Sequence, residues 1–270
     1  MTTVSVQELV QRGESLAALG WRIIDAHGHL GDLGMFYTPT PGAADMVAMM
    51  DRLGIQTVCI SSHLAIGADF IRGNDETAAA VRQFPGRILG YVAINAHYPE
   101  EMEGELHRGL DDLGLFGIKL HPGLHDFSVL DPRCEPIWRF AQERGLVVLI
   151  HTWAGDARCC PTAVARVAKD YPGARFLLGH SGGVHAGREE AIAVARSHDN
   201  IYLDLCSSWL SRAEVEWMAA EVGAERLFFG TDIPFIDPRY TLGRVALANL
   251  SDEELRLILG ENMARLLGWE

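Results

Sequence analysis

The stretch Ile23-Ile24-Asp25-Ala26-His27-Gly28-His29 is a short apolar run that ends in two histidines one residue apart. In a strand, the side chains at positions i and i+2 leave the same face, so both imidazoles are expected to point the same way. Gly28 adds no side chain between them and lets neighbouring groups pack closely. Two histidines held in this way supply two ligands of a metal site. The pair alone is weak evidence, because short motifs match by accident.

The composition is that of a globular protein with a sizeable core. The chain has 270 residues, of which 48% are hydrophobic and 22% are charged, and α/β barrels of this length often form a single domain. Its 23 Lys and Arg residues against 36 Asp and Glu residues give a formal net charge of −13. Because this charge repels phosphates, the composition argues against a nucleic-acid or anionic-membrane partner.

The cysteine pattern and the N-terminal residues predict a cytoplasmic protein. The five cysteines are odd in number and form no Cys-x-x-Cys motif, which is typical of a reducing compartment. The N-terminus lacks the basic segment and apolar core of a signal peptide, and no apolar run reaches the roughly 18 residues of a membrane span. We expect a small-molecule substrate and no membrane partner. The sequence leaves the oligomeric state open, and a homo-oligomer is compatible with it.

After the first run, apolar strand-like segments alternate with amphipathic helix-like segments. The strand-like segments are short, nearly continuously apolar and rich in Val, Ile, Leu and Phe, as expected for parallel strands buried on both faces. Strands are predicted at residues 23–27, 55–61, 88–95, 115–121, 146–152, 175–180, 201–206 and 226–231. Helices are predicted at residues 43–53, 75–84, 100–113, 136–144, 162–171, 189–197 and 212–222, from apolar spacings of three and four.

Eight such units predict a (β/α)8 TIM barrel that forms a single domain over residues 1–270. Residues 5–19 carry apolar positions at helical spacing before Gly20, which predicts an extra N-terminal helix within residues 1–20, packed on the barrel. Ser251-x-x-Glu254 is a capping box that opens the C-terminal helices. The competing fold is an open doubly wound sheet, which would need fewer units and a Gly-rich turn after its first strand. The His-Gly-His sequence stands at that point instead.

Polar residues stand at the predicted carboxyl ends of five strands, which is where barrel enzymes place their reactive groups. In chain order they are His27 and His29, Lys119 and His121, His151, His180, and Asp232. One histidine after an apolar run is usually a packed, hydrogen-bonded residue. Packing does not explain five strands that end in this way, because the converging groups would need a cation to offset their desolvation.

This constellation resembles the amidohydrolase superfamily of metal-dependent barrels, over essentially the whole chain. The matching features are the His-x-His of strand 1, the lysine of strand 4, the histidines of strands 5 and 6, and the aspartate of strand 8. The Gly-His-Ser-Gly-Gly turn at 179–183, the Gly-Thr-Asp-Ile-Pro end at 230–234 and the closing segment 260–267 are similar to the amidohydrolase-2 (amidohydrolase-related) branch. That branch lacks an extra β-sandwich, and so does this sequence.

The resemblance implies a role for each strand-end residue. His27, His29 and Asp232 would bind the buried metal, and His151 would be a further ligand. His180 would bind a second metal or, with one metal, act as an acid/base that polarises the substrate. Asp232 would also be the general base and acid, taking a proton from metal-activated water and delivering it to the leaving group.

Lys119 decides the expected number of metal ions. In two-metal members the strand-4 lysine reacts with carbon dioxide, and its carbamate bridges both ions; this requires a neutral amine, which burial beside cations favours. The alternative is an ammonium that pairs with Asp232 or holds a substrate carboxylate. We expect one or two divalent ions, and two if Lys119 is carboxylated. Zinc is the first expectation, with iron, manganese or cobalt as alternatives.

Further residues near the strand ends are candidates for substrate binding. His121 shares the face of Lys119 if the strand continues that far, and His185 follows the Gly-Gly turn after strand 6. Trp153 and Arg158 lie after strand 5, where they could line an apolar pocket or clamp a carboxylate, although packed aromatic residues and solvated arginines are the common alternatives. Other histidines near strand ends are His63, His97 and His125.

The leading expectation is a metal-dependent hydrolase that uses metal-activated water to cleave an amide, ester, lactone or other acyl bond of a small molecule. Lys119 favours this reaction, because a carbamate between two ions suits hydrolytic chemistry. The alternative is a one-metal non-oxidative decarboxylase or hydratase of a small carboxylic acid, with His180 free of metal. A non-catalytic metal-binding barrel is the third hypothesis, which the intact Asp232 disfavours.

Overall fold

The computed structural model describes residues 5–38 and 42–269 and forms a barrel of eight parallel strands that follow one another in chain order. The strands are β1 Ile24–Leu30, β2 Thr57–Ser62, β3 Ile88–Ala93, β4 Gly117–Leu120, β5 Val147–His151, β6 Arg175–Gly179, β7 Ile201–Asp204 and β8 Leu227–Phe228. The Ala26 N–H donates to the Phe229 carbonyl at 2.8 Å, which joins the last strand segment to β1. The predicted (β/α)8 barrel is confirmed.

Helices surround the barrel and connect its strands. They are α1 Val6–Arg12, α2 Ala43–Leu53, α3 Phe70–Gln83, α4 Pro99–His107, α5 Pro122–His125, α6 Glu135–Arg144, α7 Pro161–Asp170, α8 His185–Ser197, α9 Arg212–Val222, α10 Pro238–Ala246, α11 Asp252–Arg256 and α12 Asn262–Leu266. Within the described residues, none of these helices has the length and apolar character needed to cross a bilayer.

Two helices start earlier than predicted, and one changes its winding. Helix α3 begins at Phe70 rather than at residue 75, because the Asp69 side chain accepts the Arg72 N–H and caps the helix. Helix α8 begins at His185 rather than at residue 189. The predicted helix at 100–113 is α4 followed by a π-helical turn at Arg108–Asp112.

The predicted N-terminal helix is shorter than its periodicity suggested. A capping box between Ser5 and Glu8 starts α1, and Gly13 ends it in the left-handed region at φ 67°. A separate 3₁₀ turn, Leu16–Leu19, then leads to Gly20, which is also left-handed. The glycine at position 13 therefore divides the segment that the sequence predicted as one helix over residues 5–19.

The last strand is also shorter than predicted: β8 covers two residues instead of the range 226–231. Beyond it, the chain turns against β1, where the Asp232 N–H donates to the His27 carbonyl at 2.8 Å. Asp232 itself has a left-handed φ of 63°, which ends the extended conformation. This turn brings the aspartate to the first strand.

Side chains along the strands alternate between the barrel interior and the layer under the helices. Cys59 and Leu149 pack in the interior cluster, whereas their neighbours Val58 and Val148 pack in the outer cluster. By the same alternation Lys119 faces inward between Ile118 and Leu120, which belong to the outer cluster.

A bulge in β1 changes this alternation at His27 and His29. The pairing of β1 with β2 shifts register between Asp25 and Gly28. Ile24 and Ala26 belong to the interior cluster, and one extra residue after them reverses the faces, so His27 and His29 point inward. Gly28 faces the outer layer, where an added Cβ would lie 2.9 Å from Val58 Cγ2.

Candidate metal centre and active site

Two histidines of β1 and the aspartate after β8 bring three potential ligand atoms together at the carboxyl end of the barrel. Asp232 Oδ1 lies 3.5 Å from His27 Nε2 and 3.3 Å from His29 Nε2. All three side chains are buried. We call His27, His29 and Asp232 the ligand trio.

The ligand trio fits a divalent metal ion. Ligands that bind one ion at 2.0–2.2 Å are themselves about 3.0–3.5 Å apart, which is the spacing found here. Asp232 Oδ1 is buried and has no hydrogen-bond partner, and a buried carboxylate oxygen without a partner is costly unless a cation satisfies it. Two imidazole nitrogens with one carboxylate oxygen suit zinc, iron, manganese or cobalt.

The electrostatics of the trio favour its metal-binding protonation state. Burial alone would raise the pKa of Asp232, but His180, His27 and His29 outweigh it and hold this pKa well below its usual range. Burial lowers the pKa values of His27 and His29 well below theirs. At neutral pH the carboxylate is therefore ionised and both imidazoles are neutral, as metal ligation requires.

His27 is held from both sides. Its Nδ1 lies 2.7 Å from Asp204 Oδ2, and its Nε2 lies 2.8 Å from Lys119 Nζ. Burial lowers the pKa of Lys119 to about 8 and raises the pKa of Asp204 to about 6. The lysine on β4, which the sequence singled out, thus touches one of the trio directly.

His180 lies beside the trio in an unusual backbone conformation. Its φ is 63°, and its Nδ1 lies 2.9 Å from the Cys206 carbonyl, which can only accept a hydrogen bond. The ring proton is therefore on Nδ1, and Nε2 is left with a lone pair. The side chain lines the cavity described next, so this histidine is available to a bound substrate.

A cavity of about 350 Å³ lies over the trio, with His29, Lys119 and Asp232 among its lining residues. On one side Phe36 stacks on Phe235, with ring centroids 4.7 Å apart and an interplanar angle of 23°. Both rings line the cavity. They give it a flat apolar wall.

A second wall is a stack of three rings, His121, His151 and Trp153, which also line the cavity. His151 stacks on His121 at 4.0 Å and 14° between planes, and on Trp153 at 6.0 Å and 2°. His121 Nδ1 accepts the Leu124 N–H at 3.2 Å, so its Nε2 carries the proton. His151 lies outside the ligand trio, 4.8 Å from the His180 ring between centroids. His121 and Trp153 thus line the cavity, as the sequence proposed.

Two of the proposed substrate-binding residues do not line the cavity. His185 opens α8 with its side chain largely exposed, and its Nδ1 lies 3.0 Å from Glu214 Oε1. Arg158 forms ion pairs with Asp126 at 2.7 Å and with Asp156 at 2.9 Å. Both residues follow strand ends in the sequence, but their side chains do not enter the site. His185 begins a helix, and Arg158 pairs with nearby carboxylates.

Three buried residues at the site escaped the sequence argument. Asp204 ends β7, and a carboxylate inside an apolar run is a signal that could have identified it. Asp25 accepts hydrogen bonds from the backbone N–H groups of His27 and Thr231, and burial raises its pKa to about 8. His63 stacks on His29 at 4.7 Å; it was noted near a strand end, but nothing in the sequence ranked it above the other histidines.

Comparison with known families agrees with this geometry. The family model described as Amidohydrolase matches residues 24–269, which include every residue of the trio and both walls. The chain belongs to the amidohydrolase family.

Individual relatives are similar to this amidohydrolase at low identity or over a short segment. It is 22% identical over 249 residues to the γ-resorcylate decarboxylase of Rhodococcus jostii, covering 73% of this chain and 75% of the relative. It is 31% identical over 80 residues to the 2-amino-3-carboxymuconate-6-semialdehyde decarboxylase of Dictyostelium discoideum, covering 30% of this chain and 22% of the relative. A dihydroxybenzoic acid decarboxylase of Polaromonas sp. JS666, solved with manganese and 2-nitroresorcinol, superimposes with a TM-score of 0.75 at 18% identity, covering 92% and 97% of the two chains.

Proposed function

We propose that this amidohydrolase is a metal-dependent, non-oxidative decarboxylase of a small, planar carboxylic acid. One observation carries the proposal: the ligand trio lies at a cavity whose lining includes two groups of stacked rings, Phe36 with Phe235 and His151 with His121 and Trp153. Such walls favour a flat, unsaturated substrate over a flexible one, because aromatic faces stack on planar groups.

The relatives support the same reaction class. Both curated proteins reported above are decarboxylases by name, and a 2,6-dihydroxybenzoate decarboxylase solved with 2,6-dihydroxybenzoate has the same fold, at a TM-score of 0.75. For this reason decarboxylation, the alternative in the sequence analysis, becomes the main proposal in place of acyl hydrolysis. Manganese in two of the solved relatives makes it as good a candidate as zinc.

His27, His29 and Asp232 would hold the divalent ion, which when bound would supply Lewis acidity to a substrate oxygen. In the reaction, the bond between the carboxyl carbon and its neighbour breaks, carbon dioxide leaves, and a proton replaces it on that neighbour. His180 Nε2 is the site that would carry this proton, because Nδ1 is committed to the Cys206 carbonyl. Asp232 stays ionised and serves as a ligand. Lys119 is the cation available to a substrate carboxylate.

The test starts from protein purified without chelator and reconstituted with manganese or zinc. A panel of aromatic and enoic acids that includes 2,6-dihydroxybenzoate is followed by carbon dioxide release, and a matched panel of esters, lactones and amides by acid release. We expect turnover in the first panel only, lost in Asp232→Asn and retained in the surface variant His107→Ala. Acid release without carbon dioxide would overturn the proposal.

Hydrolysis is the second candidate, favoured by Lys119. Because burial lowers its pKa to about 8, part of this lysine is the neutral amine that reacts with carbon dioxide. Elemental analysis of wild type and Lys119→Ala separates the candidates. Two ions per chain that fall to one in the variant would favour a carbamate-bridged hydrolase, whereas one ion in both would favour the decarboxylase.

A further inference from the structure

Asp204 lies at the end of β7 and has no exposed surface, and its carboxylate contacts two histidines of the site. Its Oδ2 accepts hydrogen bonds from His27 Nδ1 at 2.7 Å and from the His180 N–H at 3.1 Å. Its Oδ1 accepts the Cys206 N–H at 2.9 Å. The buried carboxylate of Asp204 therefore contacts the ring of His27 and the backbone of His180.

The two contacts of His27 determine where its ring proton is. A carboxylate can only accept, so Nδ1 must donate to Asp204 and Nε2 must carry the lone pair. The contact on the other side of the ring agrees, because Lys119 Nζ lies 2.8 Å from Nε2 and can donate to that lone pair. The Asp204 contact thus requires this tautomer, and the Lys119 contact is compatible with it.

Gly230 lies against the Asp204 carboxylate and has no side chain that would clash with it. A Cβ built on Gly230 would lie 2.2 Å from Asp204 Oδ1 and 3.0 Å from His27 Cβ. Only a residue without a side chain fits there, which indicates that the segment after β8 is shaped around the carboxylate.

We infer that Asp204 is a positioning residue that keeps the proton of His27 on Nδ1, so that Nε2 presents its lone pair to the metal ion. The same carboxylate holds the His180 backbone in its left-handed conformation through the 3.1 Å hydrogen bond. Asp204 therefore couples the metal ligand to the histidine proposed as the proton carrier. This inference rests on the proposed function in one respect, the use of Nε2 as a ligand.

A second metal site at the same place is the competing interpretation. His27, His180, Asp204 and Cys206 offer atoms within 4.8 Å of one another. However, His27 Nδ1 and Asp204 Oδ2 are in direct contact at 2.7 Å, and His180 Nδ1 is engaged by the Cys206 carbonyl. An ion among these groups would have to break both hydrogen bonds, so the group is a hydrogen-bond network.

The variant Asp204→Asn changes one oxygen to an NH₂ group without changing the volume. If that group replaces Oδ2, it donates to His27 Nδ1 and moves the ring proton to Nε2, which removes the lone pair, and it also opposes the His180 N–H. If it replaces Oδ1, it opposes the Cys206 N–H. We expect the variant to bind manganese or zinc about 10- to 100-fold more weakly in a chelator competition, as loss of a ligand-orienting carboxylate usually does.

The matched control is Glu105→Gln, a buried carboxylate in α4 that contacts Asn74 and Arg108 and no residue of the trio. The same chemical change there leaves the His27 imidazole alone, and we expect metal affinity within twofold of wild type. Equal affinities in wild type and Asp204→Asn, or an equal loss in both variants, would overturn the inference.

A second measurement needs no metal. In histidine-labelled, metal-free wild type, long-range ¹H–¹⁵N NMR reports which ring nitrogen of His27 is protonated, with the resonance assigned by its absence in His27→Gln. We expect protonated Nδ1 in wild type and protonated Nε2 in Asp204→Asn. A wild-type His27 protonated on Nε2 would overturn the inference. Failure of wild type to bind metal would instead contradict the proposed function and leave the tautomer result standing.

Discussion

Hydrogen bonds within the protein favour one protonated ring nitrogen in each of two histidines at the cavity, His29 and His180. His29 Nδ1 lies 3.3 Å from the Ser61 carbonyl and 3.2 Å from the Ser61 hydroxyl oxygen. A proton on Nδ1 satisfies the carbonyl and leaves Nε2 free, and the Cys206 carbonyl favours the same tautomer in His180. Side chains with settled rotamers and tautomers need little reorganisation to bind an ion. The trio is therefore a preformed site.

Substitution of one trio member tests whether the trio binds the metal ion. In His29→Ala we expect metal affinity to fall by more than about 100-fold, because loss of a ligand costs more than loss of a supporting contact, which costs about 10- to 100-fold. The measurement is a chelator competition followed by elemental analysis. His107→Ala, an exposed histidine paired with Asp111, is the control, and equal affinity in the two variants would contradict the assignment.

The trio was predictable residue by residue, whereas its surroundings were not. His27, His29 and Asp232 each end an apolar run, and the strand-end rule of barrels brings such residues together. Asp204 ends β7 and interrupts the apolar run of the strand predicted at 201–206, a signal that the sequence argument did not use. His185 is the opposite case, because the sequence argument proposed it for the site and its side chain does not reach it. Its position after a glycine turn does not determine the direction of a side chain that begins a helix.

Among the connecting elements, α8 and α9 are linked by a buried arginine. Arg188 donates to Glu214 Oε1, to the Gly183 carbonyl and to the Trp209 carbonyl. It thereby ties the loop after β6 to the loop after β7, and Trp209 in the second loop lines the cavity. An uncompensated charge would remain buried if either partner were lost.

This pair predicts how stability depends on pH. Burial alone would raise the pKa of Glu214, but hydrogen bonds from Ser211, Arg188 and His185 lower it to about 2. A lowered pKa means that the stabilisation is complete above the ordinary value near 4.5 and is lost as the pH falls towards 2. Urea unfolding at pH 7, 4.5 and 3 should show a smaller acid loss in Glu214→Gln than in wild type. An unchanged pH profile would contradict this, and exposed Glu143→Gln is the control.

A glycine in α3 supports the packing of that helix against the loop after β2. A Cβ at Gly73 would lie 2.1 Å from the Ala65 backbone nitrogen, whereas a Cβ at Gly104 in α4 would meet nothing within 4 Å. We expect Gly73→Ala to lower the free energy of unfolding by about 1–3 kcal/mol or more through overpacking. Gly104→Ala should raise it by about 0.5–1 kcal/mol through helix propensity. Urea titrations measure both, and equal signs would be inconsistent with the packing described.

The β1 bulge marks the limit of prediction at the element scale. The sequence argument placed His27 and His29 on one face and expected the strand-end groups to converge, but the apolar pattern of β1 alone does not show which face turns inward. That choice depends on the shift in pairing with β2 between Asp25 and Gly28, a property of two strands rather than of one. The lengths of β8 and α1 were overestimated for a similar reason: β8 pairs with β7 only as far as Phe228, and the left-handed Gly13 ends α1, although the apolar pattern continues beyond both.

For the molecule as a whole, metal binding and stability are linked. The trio joins β1 to the segment after β8, so an ion bound there stabilises only the closed barrel. At a free metal concentration 100 times the dissociation constant, the gain is about 2.7 kcal/mol, which corresponds to a rise of roughly 5–10 °C in Tm for a chain of this size. Calorimetry with and without manganese or zinc measures it. A similar rise in His29→Ala would show that the ion acts elsewhere.

The contact between β1 and the segment after β8 also determines when the metal site can form during synthesis. Asp25 and Thr231, which hydrogen-bond across it, are 206 residues apart in the chain. During synthesis β1 emerges first, yet its two histidines have no aspartate to share an ion with until the eighth strand has followed. A ribosome-bound or truncated chain therefore cannot acquire its metal through this trio, and occupancy of the site reports that the entire circle of strands has closed.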